Sequence, residues 1–447
     1  MLSAADNELL TRTGPNTPMG AYFRRFWLPV LLSEELPQPD GPPLRVLVMG
    51  EEFIAFRDSK GRVGLVDPRC SHRGADLFFG RNEECGLRCV YHGWKFDADG
   101  RCVDLPNVPA RTAAAMDASI RACPTREYGD MIWAYLGPGA PPAEVPHLEC
   151  GLVPPEQRYV SKKHVDCNWA QSFEGALDTG HFSFLHMPAP QVPMGELPMG
   201  QVDQQRMQWI REDPQPRFTF VDHEAGFVIG AARNADGGDL YWRTTQCMLP
   251  SHSMTPGNMP GEIYIGYSWV PITDTECWIY TYAWHPQRTI GADERAKFKR
   301  GFGQFPEMGP GYRPLRNRGN DYLIDREDQR LRSYTGVKGI AEQDNMIQES
   351  QGRIADRTQE HLTATDAAIS KFRRVILAGA KALQEGHAPE AAHAAKAYTL
   401  RCGGWIGSGS QSLEEVMRLR YGNSAGRVNG LAADLPMPVA AAAPRAN

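Results

Sequence analysis

Two short loops, each carrying one cysteine and one histidine, constrain the fold of this chain more than any other feature of the sequence. They are Cys70-Ser-His72 and Cys89-Val-Tyr-His92. Two such loops facing each other can hold a two-iron, two-sulfur cluster, with both thiolates on one iron and both imidazoles on the other. The segment therefore has to fold into two tight turns that lie close together.

A structural zinc site is the competing interpretation, because two cysteines and two histidines also satisfy tetrahedral zinc. Zinc sites usually pair Cys with Cys in one loop and His with His in the other, whereas each loop here mixes the two. The Gly93-Trp94 pair after the second histidine is also typical of an iron–sulfur loop. We therefore favour the cluster over zinc.

A second metal motif follows in the stretch that contains His181 and His186, with Glu174 and Asp178 just upstream. Two imidazoles and one carboxylate are what a non-haem iron(II) site requires. On a helix Glu174, Asp178 and His181 would share one face, because they are four and three residues apart. His186 would not, so we expect the helix to distort or end before it. The alternative is a pair of core or surface histidines beside an amphipathic helix.

Composition limits the remaining possibilities. A chain of 447 residues suggests two or three cores. The formal net charge of -5 and the absence of a basic run argue against nucleic-acid binding. The N-terminus has acids where a signal peptide would be basic, and no apolar run is long enough to span a membrane. We expect a cytoplasmic protein whose other cysteines, which are scattered, are reduced core thiols.

Taken together, the motifs resemble the oxygenase component of Rieske non-haem iron ring-hydroxylating oxygenases. Residues 6–15 (DNELLTRTGP), Pro18-Met-Gly20, Gln343-Asp344 and Glu349-Ser-Gln351 are most similar to the phthalate dioxygenase branch. The resemblance implies an α+β fold, in which a small antiparallel β domain carries the [2Fe-2S] cluster. It also implies a helix-grip catalytic domain, in which an antiparallel sheet covers the iron-bearing helices.

We expect four segments along the chain. Residues 1–43 form an N-terminal helical segment packed on the catalytic domain, 44–142 the Rieske domain, 143–430 the catalytic domain, and 431–447 a tail that we expect to be disordered because it is rich in Ala and Pro. Alternating patterns and turn signals predict these strands: 44–49, 53–57, 63–66, 131–136, 217–222, 226–232, 240–248, 262–270 and 277–285. Helices are expected around residue 343 and after residue 365.

The third iron ligand has to be a carboxylate from elsewhere in the chain. Glu342, Asp344 and Glu349 are the candidates, and the family pattern of an acid that follows Gln and precedes Glu-x-Gln points to Asp344. A solvated acidic start of a helix is the alternative for these residues. Three protein ligands would leave positions on the iron open for dioxygen.

Asp178 lies one helical turn before His181, where a carboxylate can accept the remaining N–H of a metal-bound imidazole. The resemblance implies that this acid also links the iron-binding histidine to a cluster histidine, here His92, of a neighbouring subunit. It further implies a homo-oligomer, a trimer or stacked trimers, since electrons would pass between chains. A purely structural anchor is the alternative role for Asp178.

The resemblance implies a reaction that uses O2 and two electrons to convert an aromatic carboxylate of the phthalate or benzoate type into a cis-dihydrodiol. The chain has no dinucleotide-binding turn, so NAD(P)H and flavin would act through a separate reductase. Related proteins of this branch remove O-methyl groups from methoxylated aromatic acids at the same two metal sites. A non-catalytic metal-binding or electron-carrier protein is the more remote alternative.

The carboxylate of an aromatic acid would require a cationic partner in an otherwise apolar pocket. The candidates are Arg243, on a predicted strand, and Arg206. Thr179, which follows Asp178 directly, could also face the substrate. An arginine on a strand more often faces solvent or pairs with an acid, and that alternative applies to both arginines.

Overall fold

The computed structural model describes residues 1–196, 201–255 and 263–428. The predicted C-terminal tail and the last two residues of the predicted catalytic segment lie outside these ranges. Within them the chain forms helices and four antiparallel sheets, which confirms the predicted α+β class.

The first part of the chain builds three small sheets. Its strands are β1 (Trp27–Leu32), β2 (Leu44–Val48), β3 (Glu51–Arg57), β4 (Val63–Val66), β5 (Arg81–Glu83), β6 (Gly86–Arg88), β7 (Lys95–Phe96), β8 (Cys102–Asp104), β9 (Thr125–Tyr128) and β10 (Met131–Tyr135). The sheet orders are β2-β3-β4, β5-β6-β7-β8 and β1-β10-β9. The four strands predicted here correspond to β2, β3, β4 and β10, with ends that differ by at most two residues.

Strand β1 lies in the segment that we expected to be helical and proline-rich. All of its residues are buried, so the sequence WLPVLL lacks the alternation by which a half-buried strand is recognised. It pairs with β10, where Trp27 lies opposite Tyr135, and it thereby ties the N-terminal segment to the cluster-bearing half of the chain.

The larger sheet consists of strands in the second part of the chain. They are β11 (Arg158–Val165), β12 (Arg217–His223), β13 (Gly226–Asn234), β14 (Leu240–Met248), β15 (His252–Met254), β16 (Tyr264–Thr273), β17 (Glu276–Trp284) and β18 (Gly404–Gly407). Their order is β11-β17-β16-β15-β14-β13-β12, with β18 beside β14. The sequence predicts β12, β13, β14, β16 and β17 but not β11, β15 or β18.

Helices cover the sheet and connect the two halves. They are α1 (Ala4–Thr11), α2 (Pro18–Phe23), α3 (Ala110–Ala113), α4 (Glu149–Leu152), α5 (Trp169–Leu177), α6 (Gln201–Glu212), α7 (Ala292–Lys299), α8 (Arg326–Leu331), α9 (Ile340–Ser350), α10 (Ala367–Gln384) and α11 (Leu413–Tyr421). The helices predicted around residue 343 and after residue 365 correspond to α9 and α10. Among the described residues, no helix is long and apolar enough to cross a membrane.

Helix α5 packs directly on the sheet and determines where the second metal motif lies. Asn168 caps its start by accepting a hydrogen bond from the backbone N–H of Ala170 at 3.0 Å. Phe173 is fully buried and meets the ring of Trp269 on β16 edge-on, with ring centroids 5.0 Å apart. Helix α9 lies alongside, where the Gln171 amide donates to the Gln348 carbonyl at 2.8 Å. The ends of α5 and α9 are thus held close together.

Candidate metal centres

The two cysteine–histidine loops have matching backbone geometry. In the first loop the N–H of Gly74 donates to the carbonyl of Cys70 at 2.8 Å, and in the second Gly93 donates to Cys89 at 2.9 Å. Both glycines have a positive φ, 71° and 82°, which residues other than glycine rarely adopt. The sequence therefore closes each loop tightly around its cysteine, and both cysteines are 3% exposed.

The two loops face each other, as the sequence predicts. The rings of His72 and His92 lie with centroids 4.4 Å apart, and His72 stacks on the indole of Trp94, also at 4.4 Å. Trp94 is held by Asn107, whose side-chain oxygen accepts the indole N–H at 2.8 Å. The Nδ1 of His72 is buried and has no hydrogen-bond partner in the described chain.

This donor set fits a [2Fe-2S] cluster. Two thiols and two imidazoles converge from two loops, and an orphaned buried ring nitrogen is expected of a metal ligand. Burial, with Cys89 close by, raises the pKa of the Cys70 thiol to about 11. Metal binding must therefore displace a proton from this sulfur.

The second motif converges on a single point. The Nε2 atoms of His181 and His186 lie 3.2 Å apart. The Oδ1 of Asp344 lies 3.2 Å from Nε2 of His186 and 3.7 Å from Nε2 of His181. Three donor atoms this close form one face of a coordination sphere, which fits the two-histidine, one-carboxylate site of non-haem iron(II).

The backbone reaches this arrangement in a way that differs from the prediction. We expected Glu174, Asp178 and His181 on one face of a helix, but α5 ends at Leu177 and Asp178 is its C-cap. The Asp178 carboxylate accepts the N–H of Gly180 at 2.7 Å, a local turn that competes with further helix. His181 then begins a separate 3-10 turn. As expected, the regular helix stops before His186.

Glu174 points away from the metal motif. It forms buried ion pairs with Arg357 at 3.0 Å and with Arg373 at 2.7 Å. Although burial opposes ionisation, the two guanidinium groups hold the pKa of Glu174 below its usual value. This acid anchors α5 to the segment after α9 and does not contribute to the metal site.

Both metal-site imidazoles have a partner on their second ring nitrogen. Nδ1 of His181 lies 3.3 Å from the Asp178 carboxylate, and Nδ1 of His186 lies 2.7 Å from the Gln343 side-chain oxygen. Gln343 is itself held by the carbonyl of Val337, to which its amide donates at 2.8 Å. These contacts favour the tautomers that leave both Nε2 atoms free for a metal. No local sequence signal predicts this role of Gln343.

The carboxylate of Asp344 and the imidazole of His186 stabilise each other's charged forms. Although burial opposes ionisation, His186 and His181 hold the pKa of Asp344 below its usual value. Burial likewise opposes the charged form of His186, but Asp344 and Gln343 raise its pKa. The carboxylate is therefore ionised and available as a ligand at neutral pH.

A pocket opens beside the metal motif and contains about 430 Å³ of space, counting its mouth. Its walls combine aromatic rings with amide and hydroxyl groups. The described residues that line it are Lys163, Ser172, Gly175, Ala176, His181, Phe182, Thr255, Tyr267, Trp269, Ile279, Gln304, Asp344, Asn345 and Gln348.

None of the three candidate substrate contacts is among the described residues that line this pocket. The guanidinium of Arg243 lies 3.9 Å above the Phe182 ring centroid, on a strand behind that ring. Arg206 pairs with Asp203 on α6. The Thr179 hydroxyl is buried without a hydrogen-bond partner in the described chain.

Comparisons with known proteins agree with this architecture. Residues 26–123 match the family model of the Rieske [2Fe-2S] domain, and residues 134–399 match that of the LigXa C-terminal domain like family. The chain is 38% identical to the phthalate 4,5-dioxygenase oxygenase subunit of Pseudomonas putida, covering 86% of this chain and 88% of that protein. It is 33% identical to the 3-chlorobenzoate-3,4-dioxygenase oxygenase subunit of Comamonas testosteroni, with 86% and 89% covered.

Among solved structures, dicamba monooxygenase bound to 3,6-dichlorosalicylic acid has the same fold, with a TM-score of 0.56 and 18% identity over 82% of this chain and all of that one. The chain therefore belongs to the Rieske non-haem iron oxygenases, as an oxygenase component. Within that class it falls in the phthalate dioxygenase-like branch. These matches confirm the family, the enzyme class and the pair of cofactors, a [2Fe-2S] cluster and a mononuclear iron, that the sequence resemblance implied.

Proposed function

We propose that this oxygenase component dihydroxylates an aromatic carboxylate of the phthalate or benzoate type, with O2 as co-substrate. The observation that carries the proposal is the convergence of His181, His186 and Asp344 beside a pocket with aromatic walls. The similarity to two oxygenase subunits named for aromatic acids supports the substrate class. Electrons would come from a separate reductase that uses NAD(P)H and flavin.

Each part of the chain has a defined task in this proposal. When bound, the cluster supplies single electrons and the iron provides open positions at which O2 is activated beside the substrate. Cys70, His72, Cys89 and His92 would hold the cluster. The three residues that would hold the iron come from the turn after α5 and from α9, and two of them, His181 and Asp344, line the pocket. The aromatic walls exclude water and orient the substrate ring.

We propose that Asp178 connects the two centres across a subunit boundary. Its carboxylate contacts His181 at 3.3 Å while a quarter of its side chain stays accessible, which leaves room for a second partner. His92 of the partner subunit would be that partner. The cluster loops carry Val90 and Tyr91, which are 60% and 55% exposed, and apolar exposure of this kind is typical of a contact surface. A trimer or stacked trimers would bury it.

Arg243 remains the best-supported of the three proposed substrate contacts. Arg243 is buried, and its guanidinium lies against the ring of Phe182, which lines the pocket. Through this ring its positive charge favours an anionic substrate. We propose Arg206 and Thr179 as more distant contributors to the same side of the site.

The proposal is tested by oxygen uptake and product analysis. Holoenzyme, a generic reductase and NAD(P)H are supplied with phthalates, halogenated benzoates and methoxybenzoates. A cis-dihydrodiol is expected, whereas formaldehyde release from the methoxybenzoates would instead show O-demethylation. If the cluster is reduced and reoxidised without any acid-dependent oxygen uptake, the protein acts as an electron carrier and the proposal is wrong.

A further inference from the structure

We infer that Lys163 binds an anionic group of the substrate in the pocket beside His181 and Asp344. The inference rests on the proposed function, because it assumes that the pocket takes an aromatic acid. It adds the residue that selects the charge of the substrate. Lys163 was not among the substrate contacts predicted from the sequence.

The side chain is placed by the alternation of strand β11. Lys162 and Lys163 are neighbours on this strand, so their side chains leave opposite faces of the sheet. Lys162 faces the N-terminal segment, where it pairs with Glu35 at 2.6 Å and lies 4.4 Å above the ring centroid of Trp278. Lys163 faces the iron-bearing helices, and both it and Ile279, its partner across the strand pair, line the pocket.

Lys163 differs from Lys162 in having no hydrogen-bond or ion-pair partner among the residues that the structure describes. It is only 5% exposed, yet no hydrogen bond or ion pair joins it to any other residue in the described part of the chain. Lysines are almost never buried unless they are paired, because a buried unpaired charge is costly. Burial accordingly lowers the pKa of Lys163. A bound carboxylate would supply the missing partner.

The nearby acids do not fill this role. The Asp344 oxygen lies within 3.2 Å of the His186 ring nitrogen, where it is positioned for the metal. Glu342 is 3.7 Å from the guanidinium of Arg316, and neither of its buried oxygens accepts a hydrogen bond within the described residues. Glu349, the third acid near Lys163, accepts hydrogen bonds from the backbone N–H of Asp166 at 3.0 Å and from the Tyr322 hydroxyl. A ligand in the pocket can therefore supply the partner that these acids do not.

The lining of the pocket also matches the chemistry of an aromatic acid. Lys163 is the only lysine or arginine among its described lining residues. The rings of Phe182, Tyr267 and Trp269 provide apolar walls. An acid whose carboxylate meets Lys163 would therefore place its ring between these walls, within reach of the iron ligand His181. Arg243 would strengthen the same preference from behind Phe182.

The test measures binding to anaerobic holoenzyme that carries both metals. The probes are phthalate or 3-chlorobenzoate, whichever gives more oxygen uptake, and its neutral amide. The variants are Lys163→Met, which keeps length but removes charge, Lys163→Arg, and Lys162→Met as a matched loss of a buried lysine from the same strand. Iron content and the cluster spectrum show whether each variant is folded.

We expect Lys163→Met to weaken binding of the acid by about 10- to 100-fold, the effect of losing one hydrogen bond to a charged group, and to leave the amide nearly unchanged. Lys163→Arg should recover part of the loss, and Lys162→Met should bind both probes like the wild type. If Lys163→Met binds the acid within twofold of the wild type, the inference is wrong while the proposed function stands. If Lys163→Met does not fold, Lys163→Gln replaces it in the test. The inference is then wrong if folded Lys163→Gln and the wild type prefer the acid over the amide by the same factor. A wild type that oxidises no aromatic acid contradicts the proposed function itself.

Discussion

Replacing Asp178 by Asn tests the proposed connection between the two metal centres. Asn has the same shape, and its side-chain oxygen can still accept the Gly180 N–H that the carboxylate accepts at 2.7 Å. The turn that presents His181 should therefore survive. What is lost is the negative charge that lies 3.3 Å from Nδ1 of His181.

The size of the effect follows from that contact. A hydrogen bond to a charged group contributes about 1.5–3 kcal/mol, and each 1.4 kcal/mol corresponds to about a factor of ten in rate. The proposed contact to His92 of the partner subunit would depend on the same charge, so the substitution should weaken both links. We therefore expect turnover to fall at least about 10- to 100-fold, with iron content and cluster spectrum unchanged.

The assay follows reoxidation of the reduced cluster by stopped-flow absorbance in the presence of substrate and O2. Asp222→Asn is the matched control, because Asp222 pairs with Lys371 and its side chain is 75% exposed. Asp178→Asn should reoxidise its cluster slowly, and Asp222→Asn at the wild-type rate. Wild-type reoxidation and turnover in Asp178→Asn would refute the role of this carboxylate.

Three further predictions concern the metal sites and the core. His181→Ala should lose iron by metal analysis while it keeps the cluster spectrum, whereas Cys70→Ser should lose the cluster absorbance; full iron occupancy in His181→Ala would contradict the ligand assignment. Gln343→Leu should lower iron affinity about 10- to 100-fold in a chelator titration, because His186 loses the partner that orients its ring. Glu174→Gln should destabilise the protein by about 3–5 kcal/mol in denaturant unfolding, since the buried Arg357 loses its counter-ion and Arg373 keeps only Glu360. The pKa of Glu174 is lowered in the folded state, so its contribution is present above its ordinary value of about 4.3 and is lost as the pH falls below it. A Glu174→Gln variant that unfolds like the wild type at pH 7 would contradict this account.

The side chains that converge in the two candidate metal centres could be predicted from the sequence, because their residue types and spacing match known metal-ligand patterns. The resemblance then singled out Asp344, which lies far from the histidines along the chain. The end of α5 was harder to predict, since the turn formed by Asp178 and Gly180 replaces a helical turn that the spacing alone allows. Glu174 shares that spacing, but its partners Arg357 and Arg373 are distant in sequence.

Strands β1 and β11 were missed for opposite physical reasons. Every residue of β1 is buried, so no polar face marks it as a strand. Strand β11 carries Lys162 and Lys163 in its interior, and both side chains are buried although lysines usually lie at the solvent-exposed surface. The place of Lys163 in the pocket depends on this pairing with β17, which no local pattern reveals. Gln343 likewise gains its role only when α9 meets the turn after α5.

The central claim is that His181, His186 and Asp344 hold the iron at which an aromatic acid is oxygenated with electrons from the cluster. A single-turnover experiment tests it most directly: fully reduced holoenzyme is mixed with the acid and ¹⁸O₂ in the absence of reductase, and the products are identified by mass spectrometry. The account predicts a cis-diol that contains two ¹⁸O atoms, and no such product from His181→Ala with an intact cluster. Equal product from that variant, or none from wild-type enzyme loaded with both metals, would contradict it.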